Sequence, residues 1–333
     1  MDRCRICYAK LAEDAQSHYH PACARKLFGQ PNPPVIDVSV ATLDAIAERY
    51  IRSKGSVTGV QPKLSLGEDK GDKTKRLTVV GYSGKYILKP QSVLFEQLPE
   101  NEHLTMRLAK TLILPVAEAG LVYLVDGSMA YLTLRFDRTN TGLKYGMEDM
   151  AQLTETLTEY KYRGSVEKIA KVINKFSAVA GQDKLYLFYL VLITWLTGNS
   201  DMHLKNFSML ETSEGWRLSP AYDLINTQLA MPEDKEQFAL TLNGKRNRLT
   251  KADLIDHLGT TVLELPAKVI ENTQKRFNKA LQTWPDLIDG SFLTDEAKQV
   301  YHGIVAERTA VLGLDYQYTP YLLSDTETGE DIT

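Results

Sequence analysis

Apolar positions change their period along the chain, and the changes divide it. Residues 40–53, VATLDAIAERYIRS, carry apolar side chains at helical spacing. From Gly55 to Pro90 the pattern shortens. Glycines at 55, 59, 67, 71, 81 and 84 separate the β-rich pieces LTVV and YILK, which predicts antiparallel strands and hairpins. NEHLTMRLAKTL, residues 101–112, returns to the helical period, and GLVYLV and AYLTLRF then read as two strands. From about Met147 onward the pattern is mainly helical, apart from a loop region over 198–250. LYLFYLVLITWL, Leu185 to Leu196, is too short to span a bilayer and predicts a buried helix.

The order is a β-rich lobe followed by a mainly helical one, an α+β plan whose lobes leave a cleft for a ligand. PNPP at 31–34 is a stiff breaker. The expected organisation is a small Cys/His unit (1–30), a linker and helix (31–53), a β-rich N-lobe (54–136), a helical C-lobe (137–320) and a disordered acidic tail (321–333). No internal repeat is present.

Composition narrows the function class. The chain has 333 residues, enough for a large core without staples, and a net charge of −3, which gives no global field for nucleic acid or an anionic membrane. MDRCRICYAK has no apolar signal core, so a cytoplasmic protein is expected. All three cysteines fall in the first 23 residues, which excludes a distributed disulfide framework.

Candidate chemistry begins in GNSDMHLKNF, 198–207. Asp201 and Asn206 have the D-x₄-N spacing of a phosphoryl-transfer loop, a carboxylate for the hydroxyl proton and an amide oxygen for Mg²⁺. Between them, Lys205 could neutralise phosphoryl charge; His203 has a less definite role. Asp223 in SPAYDL offers a second carboxylate to the metal. Upstream, the turn Ser56, Val57, Thr58, Gly59, Val60, Gln61 exposes backbone N–H groups that can cradle phosphates. Lys89 in YILKP stands in a strand after that turn, and Glu102 at the next helix start is its candidate partner. Singly, each has a plainer use: turn chemistry, an N-cap, a solvated lysine, a charge at a helix dipole. Their order along the chain is what points to a kinase.

At the N-terminus Cys4-x₂-Cys7 and His20-x₂-Cys23 offer four soft ligands, suited to tetrahedral structural zinc. His18 competes with His20, and a metal-free cluster of reduced thiols is the alternative. His103, His257 and His302 are isolated, and KRNR at 245–248 reads as a solvated loop.

SVTGVQPKLSL, YILKP, PENEHLTMRLAK, YLTLRFDR, EDMAQL, GNSDMHLKNFSML and LSPAYDL, spread over roughly residues 50–310, together resemble the HipA-type serine/threonine kinases, toxins of bacterial toxin–antitoxin modules. The resemblance implies a two-lobed protein-kinase-like fold with ATP and Mg²⁺ as cofactors. Asp201 would be the catalytic Asp, Asn206 and Asp223 the Mg²⁺ ligands, and Lys89 the contact to the ATP phosphates. Ser56 to Gln61 would be the phosphate loop, and Leu134 to Phe136 the inter-lobe connection that holds adenine. It also implies autophosphorylation at Ser56, with Thr58 a second hydroxyl, and a substrate among the aminoacyl-tRNA synthetases. Longer members carry an additional N-terminal subdomain for which too few residues precede Ser56. The chain therefore resembles a short form whose missing piece a separate small protein supplies, beside a DNA-binding antitoxin; no membrane contact and no direct sequence-specific nucleic-acid binding are expected. Two alternatives stay open: a kinase of a lipid or small-molecule alcohol, and a non-catalytic antitoxin-binding subunit.

Overall fold

A computed structural model describes residues 2–38, 62–69, 76–80, 84–92, 94–139 and 142–320. The expected helix over 40–53, the turn Ser56 to Gln61 and the tail 321–333 lie outside these residues.

The chain opens with helix α1 (Pro21–Phe28), for which Pro21 supplies a preset first turn and Gly29, at φ 73°, the left-handed stop. Strands β1 (Val35–Ile36), β2 (Leu64–Asp69), β3 (Arg76–Val79) and β4 (Tyr86–Pro90) follow, then helix α2 (Leu98–Ala109) and strands β5 (Ala119–Tyr123) and β6 (Met129–Leu134). Among the described residues these six strands form one sheet in the order β1-β3-β2-β4-β6-β5, antiparallel except for β1 against β3. The second lobe holds β7 (Met147–Asp149), α3 (Met150–Leu153), α4 (Val166–Phe176), α5 (Ala180–Leu196), β8 (Ser208–Thr212), β9 (Gly215–Leu218), α6 (Thr227–Ala230), a π-helical segment (Ala252–Val262), α7 (Ala267–Leu281), α8 (Trp284–Asp289) and α9 (Asp295–Leu312). The two-lobed α+β plan is thus the one the period changes predict. α5 contains the apolar run, buried almost all round between Leu187 and Leu196.

Strand alternation sorts the sheet's side chains onto two faces. Leu64, Leu66, Leu77, Tyr86, Leu88, Ala130 and Leu132 share a buried core with Ile6, Tyr19, Ala24, Leu27 and Phe28. Lys89 and Tyr131, paired across β4 and β6, alternate with that set. Tyr131 instead joins the core formed by α2 and the helical lobe. The Cys/His unit, which the sequence pattern separates from the lobe, therefore packs on the lobe's own sheet. It also covers the sheet's terminal strand: Leu121 of β5 donates its N–H to Arg5 O at 3.0 Å and accepts from Tyr19 Oη at 2.9 Å. An open strand edge is thereby removed.

One difference lies inside 198–250, where the pattern predicts loop. β8 and β9 form a hairpin that pairs with β7. Its strands are five and four residues long, too short for a period to register.

Gly120 marks the seam between unit and sheet. A Cβ there would lie 2.7 Å from Ile6 Cγ1 and 2.9 Å from Leu27 Cδ2. Gly120→Ala should therefore lower stability by about 1–3 kcal/mol, seen as a lower urea midpoint. Gly181→Ala, whose methyl would meet nothing within 4 Å at the start of α5, should leave the midpoint unchanged or raise it.

Candidate active site

A cleft of about 920 Å³ opens between the sheet and the helical lobe. Lys89, Glu102, Leu134, Phe136, Asp201, His203, Lys205, Asn206 and Asp223 all line it. The sequence assigns these nine residues from five separate segments, and the fold brings them to one place.

β4 and α2 supply the first pair. Lys89 Nζ donates to both carboxylate oxygens of Glu102, at 2.6 and 2.7 Å, with both side chains buried. The same ammonium bonds Asp223, and Lys63, the residue just before β2, reaches the other Asp223 oxygen at 2.9 Å. One buried ammonium thus faces two carboxylates. Burial alone would pull Lys89 down, but Asp223 and Glu102 hold it above its ordinary range. Burial alone would raise Asp223, yet Lys63 and then Lys89 hold it well below the usual carboxylate range. Glu102 gives way instead: burial pushes it up to about 7, with Lys89 the chief counterweight.

The opening motif supplies the second group. Asp201 N donates to Asn199 Oδ1 at 2.9 Å, and Asn206 Nδ2 donates to Asp201 O at 3.2 Å, which folds the D-x₄-N segment onto itself. Among the described residues Asn206 Oδ1 accepts no hydrogen bond, and Tyr162 Oη donates to Asp201 Oδ1. Lys205 Nζ reaches Asp149 Oδ2 at 2.6 Å. The His203 ring is buried edge-on to Tyr162, and burial lowers its pKa.

The hairpin explains the distance in sequence between Asn206 and Asp223. β8 leaves the loop and β9 returns the chain, so both residues face one cleft. Tyr222 ties the return down, with its hydroxyl 2.9 Å from Lys205 O. Asp223 itself has φ 59°, a left-handed backbone that Asp tolerates better than most residues. At the connection between lobes, Phe136 packs on Tyr222 at 5.6 Å, while Arg135 and Arg138 both bind Asp137.

The sequence pattern misses Lys63, Asn101, Tyr162 and Asp149. Lys63 and Asp149 sit inside the quoted motifs SVTGVQPKLSL and EDMAQL, next to more conspicuous residues. Asn101 exchanges two hydrogen bonds of 2.8 Å with the backbone of Asn226, fastening α2 to the segment after Asp223. Nothing in a lone helical Asn signals that.

The Cys/His candidates Cys4, Cys7, His20 and Cys23 lie elsewhere: none lines the cleft. Sγ of Cys4, Cys7 and Cys23 and a nitrogen of His20 come within 4.8 Å of one another. A hydrogen bond from the Cys7 thiol pulls Cys4 down to about 4. His18 stays outside this group and stacks edge-on to Tyr123. KRNR is partly neutralised, since Lys245 pairs with Asp253 and Arg246 with Glu236. His302 bonds Asp289, and His257 bonds Glu167.

Residues 55–284, more than half of the chain, match the sequence profile of the HipA-like C-terminal domain. The chain belongs to that family. Its relatives include Y4dM of Sinorhizobium fredii, a kinase by inference, 31% identical over 74% of this chain and 62% of its own length. The serine/threonine-protein kinase toxin HipA of Shewanella oneidensis is 31% identical over 55% of this chain and 45% of its own. The chain spans between 45% and 62% of the lengths of four curated relatives. The HipA-like fold is shared with the solved Shewanella oneidensis complex of HipA, HipB and operator DNA. The TM-score is 0.64 at 24% identity, covering 78% of this chain and 65% of that one. No helix among the described residues is long and apolar enough to cross a membrane.

His103, one residue beyond Glu102, gives a pH test. Its buried ring is held neutral, with burial lowering its pKa to about 3 from an ordinary 6.5. The unfolded chain binds this proton first, so stability should fall as pH drops from 6.5 toward 3. His103→Asn should flatten that acid limb, measured as urea midpoints at pH 7, 6 and 5.

Proposed function

We propose that the chain is a Mg²⁺- and ATP-dependent protein serine/threonine kinase. The observation that supports this most is the buried Lys89–Glu102 pair meeting Asp223 in the cleft that also holds Asp201 and Asn206. A strand lysine locked to a helix glutamate is the arrangement that positions ATP phosphates in protein kinases.

The residues fit the cofactor. Asn206 Oδ1 and the Asp223 carboxylate are hard oxygen donors of the kind Mg²⁺ takes, and Asp223 is already ionised against two ammonium groups. Mg²⁺ bound there would supply charge neutralisation at the phosphates. The chain's own residues do the rest. Lys89 holds phosphate oxygens, and Leu134 to Phe136 receive the adenine. Asp201 accepts the proton of the substrate hydroxyl as that oxygen bonds the γ-phosphorus and ADP leaves with the broken bridging bond. Tyr162, donating to the Asp201 carboxylate, keeps it oriented until substrate takes its place. Lys205, paired with Asp149, and the buried His203 ring hold the loop around Asp201.

The finer reading is that of a toxin in a bacterial toxin–antitoxin module, acting in the cytoplasm on a protein of translation such as an aminoacyl-tRNA synthetase. Its support is the likeness to HipA, whose solved complex includes HipB and operator DNA. A DNA-binding antitoxin is accordingly the proposed partner. Autophosphorylation at Ser56 or Thr58 would add close to two negative charges beside the ATP phosphates and switch the enzyme off.

The test is incubation of phosphate-free protein with labelled ATP and Mg²⁺, then mapping of the label. Wild type should label itself on Ser56 or Thr58, and Asp201→Asn should lower incorporation by roughly 10²- to 10⁴-fold. Wild type that neither binds ATP nor takes label would overturn the proposal.

A further inference from the structure

The Cys/His unit is built around a point where four ligand atoms converge, and it is attached to the helix that carries Glu102.

Cys4, Cys7 and Cys23 are free thiols in a chain with no other cysteine. A tetrahedral zinc with bonds of about 2.0–2.3 Å sets its ligand atoms about 3.5–3.8 Å apart. Cys7 Sγ and His20 Nδ1 lie 3.3 Å apart, and all four atoms fall within 4.8 Å of one another. The surroundings match a metal site too. His20 Nε2 lies 3.2 Å from Lys10 O, which makes Nε2 the protonated nitrogen and leaves Nδ1 free to ligate. The His20 backbone N–H points at Cys4 Sγ, 3.4 Å away, as a donor to a thiolate. The loop Cys4–Tyr8 closes by Tyr8 N to Cys4 O at 2.9 Å, bringing Cys4 and Cys7 to the same side.

Now the attachment. Tyr8 directly follows Cys7 and has φ 66°, a backbone that a bulky aromatic residue rarely adopts. Its ring is fully buried, edge-on to His103 at 5.0 Å and to Phe292 of the helical lobe at 5.7 Å. Tyr8 Oη and His103 Nδ1 form a 2.8 Å hydrogen bond. One turn along α2, Arg107 reaches Cys7 O at 3.4 Å. His103 in turn packs toward Tyr131, over whose ring Lys89 Nζ lies at 5.5 Å. The contacts run without a gap from Cys7 to the Lys89–Glu102 pair.

We propose that Cys4, Cys7, His20 and Cys23 bind one structural Zn²⁺, and that the knuckle so formed clamps α2 through Tyr8 and Arg107 so that Glu102 stays on Lys89. The zinc site and the clamp stand on geometry alone. Their consequence for activity rests on the kinase reading.

The first measurement is the metal content of the purified full chain by mass spectrometry, with and without thiol modification. One zinc per chain, released when the thiols are blocked, is expected. No metal, or a metal other than zinc, overturns the site. The second is amide hydrogen exchange on Tyr8→Phe, which keeps all four ligands. Its zinc content should stay at one per chain while exchange in residues 103–109 quickens about five- to tenfold, the value of one buried hydrogen bond lost. Exchange in α9 should not change. Unaltered exchange at 103–109 overturns the clamp. Zinc bound and α2 loosened by Tyr8→Phe, in a wild-type protein that transfers no phosphate, would leave the clamp standing and sink the kinase reading.

Discussion

A lysine buried inside a protein is tolerated only where its charge is answered. Removing an ammonium from water costs several kcal/mol, and only close, well-shaped anionic partners recover it. Lys89 meets that demand with two carboxylates, Glu102 from α2 and Asp223 from the loop after β9. Its position on β4 thereby constrains two distant parts of the chain. Glu102 reaches it only if α2 lies against the inner sheet face. Asp223 reaches it only if the loop after β9 crosses under the sheet. Asn101 binds both ends of that arrangement together, since it sits beside Glu102 and holds the backbone of Asn226. Ala221 adds a further tie, exchanging backbone hydrogen bonds with Pro115 and Ala117 in the connection after α2.

What could be read from the sequence follows from how each feature is encoded. The lobes were legible because a period of two and a period near 3.6 differ over any window of ten residues. The buried course of α5 was legible because no polar face interrupts it. That Lys89, Glu102, Asp201 and Asn206 would share one cleft was legible because they stand along the chain in the order of a phosphoryl-transfer pattern. The β8–β9 hairpin was not, since two short strands around a glycine turn look like the polar loop around them. Lys63 and Asn101 were not, because their partners lie 160 and 125 residues away and only the closed fold brings them near. The Cys/His spacing suggested a metal knuckle, but nothing in it told which surface the knuckle would cover.

That surface has its own logic. A six-stranded sheet has two faces and two edges, and each must be covered, paired or left to water. The inner face carries Lys89 and Tyr131 and belongs to the cleft and α2. The outer face carries Leu64, Leu66, Leu77 and Leu88, too apolar to leave wet. The first 29 residues cover it with a helix and two turns, which is little chain for so much surface. A unit that small buries too little of its own to hold itself together. It solves the problem by borrowing the sheet's core, with Ile6 and Leu27 closing on Gly120.

Borrowing a core in this way makes the two parts depend on each other. The sheet needs the unit to cover Leu64 to Leu88 and to occupy the β5 edge, and the unit needs the sheet for its apolar contacts. Arg5 shows how tightly the seam is drawn: its guanidinium is buried, lies over the Tyr123 ring at 4.2 Å and is 5.5 Å from the ring centre of Phe292. Phe292 belongs to the helical lobe, so one arginine of the unit meets both lobes at once. A separate appendage would have no reason to bury a charge there. The first residues of the chain are therefore better regarded as the outer wall of the β-rich lobe, built from a segment that the cleft chemistry does not use.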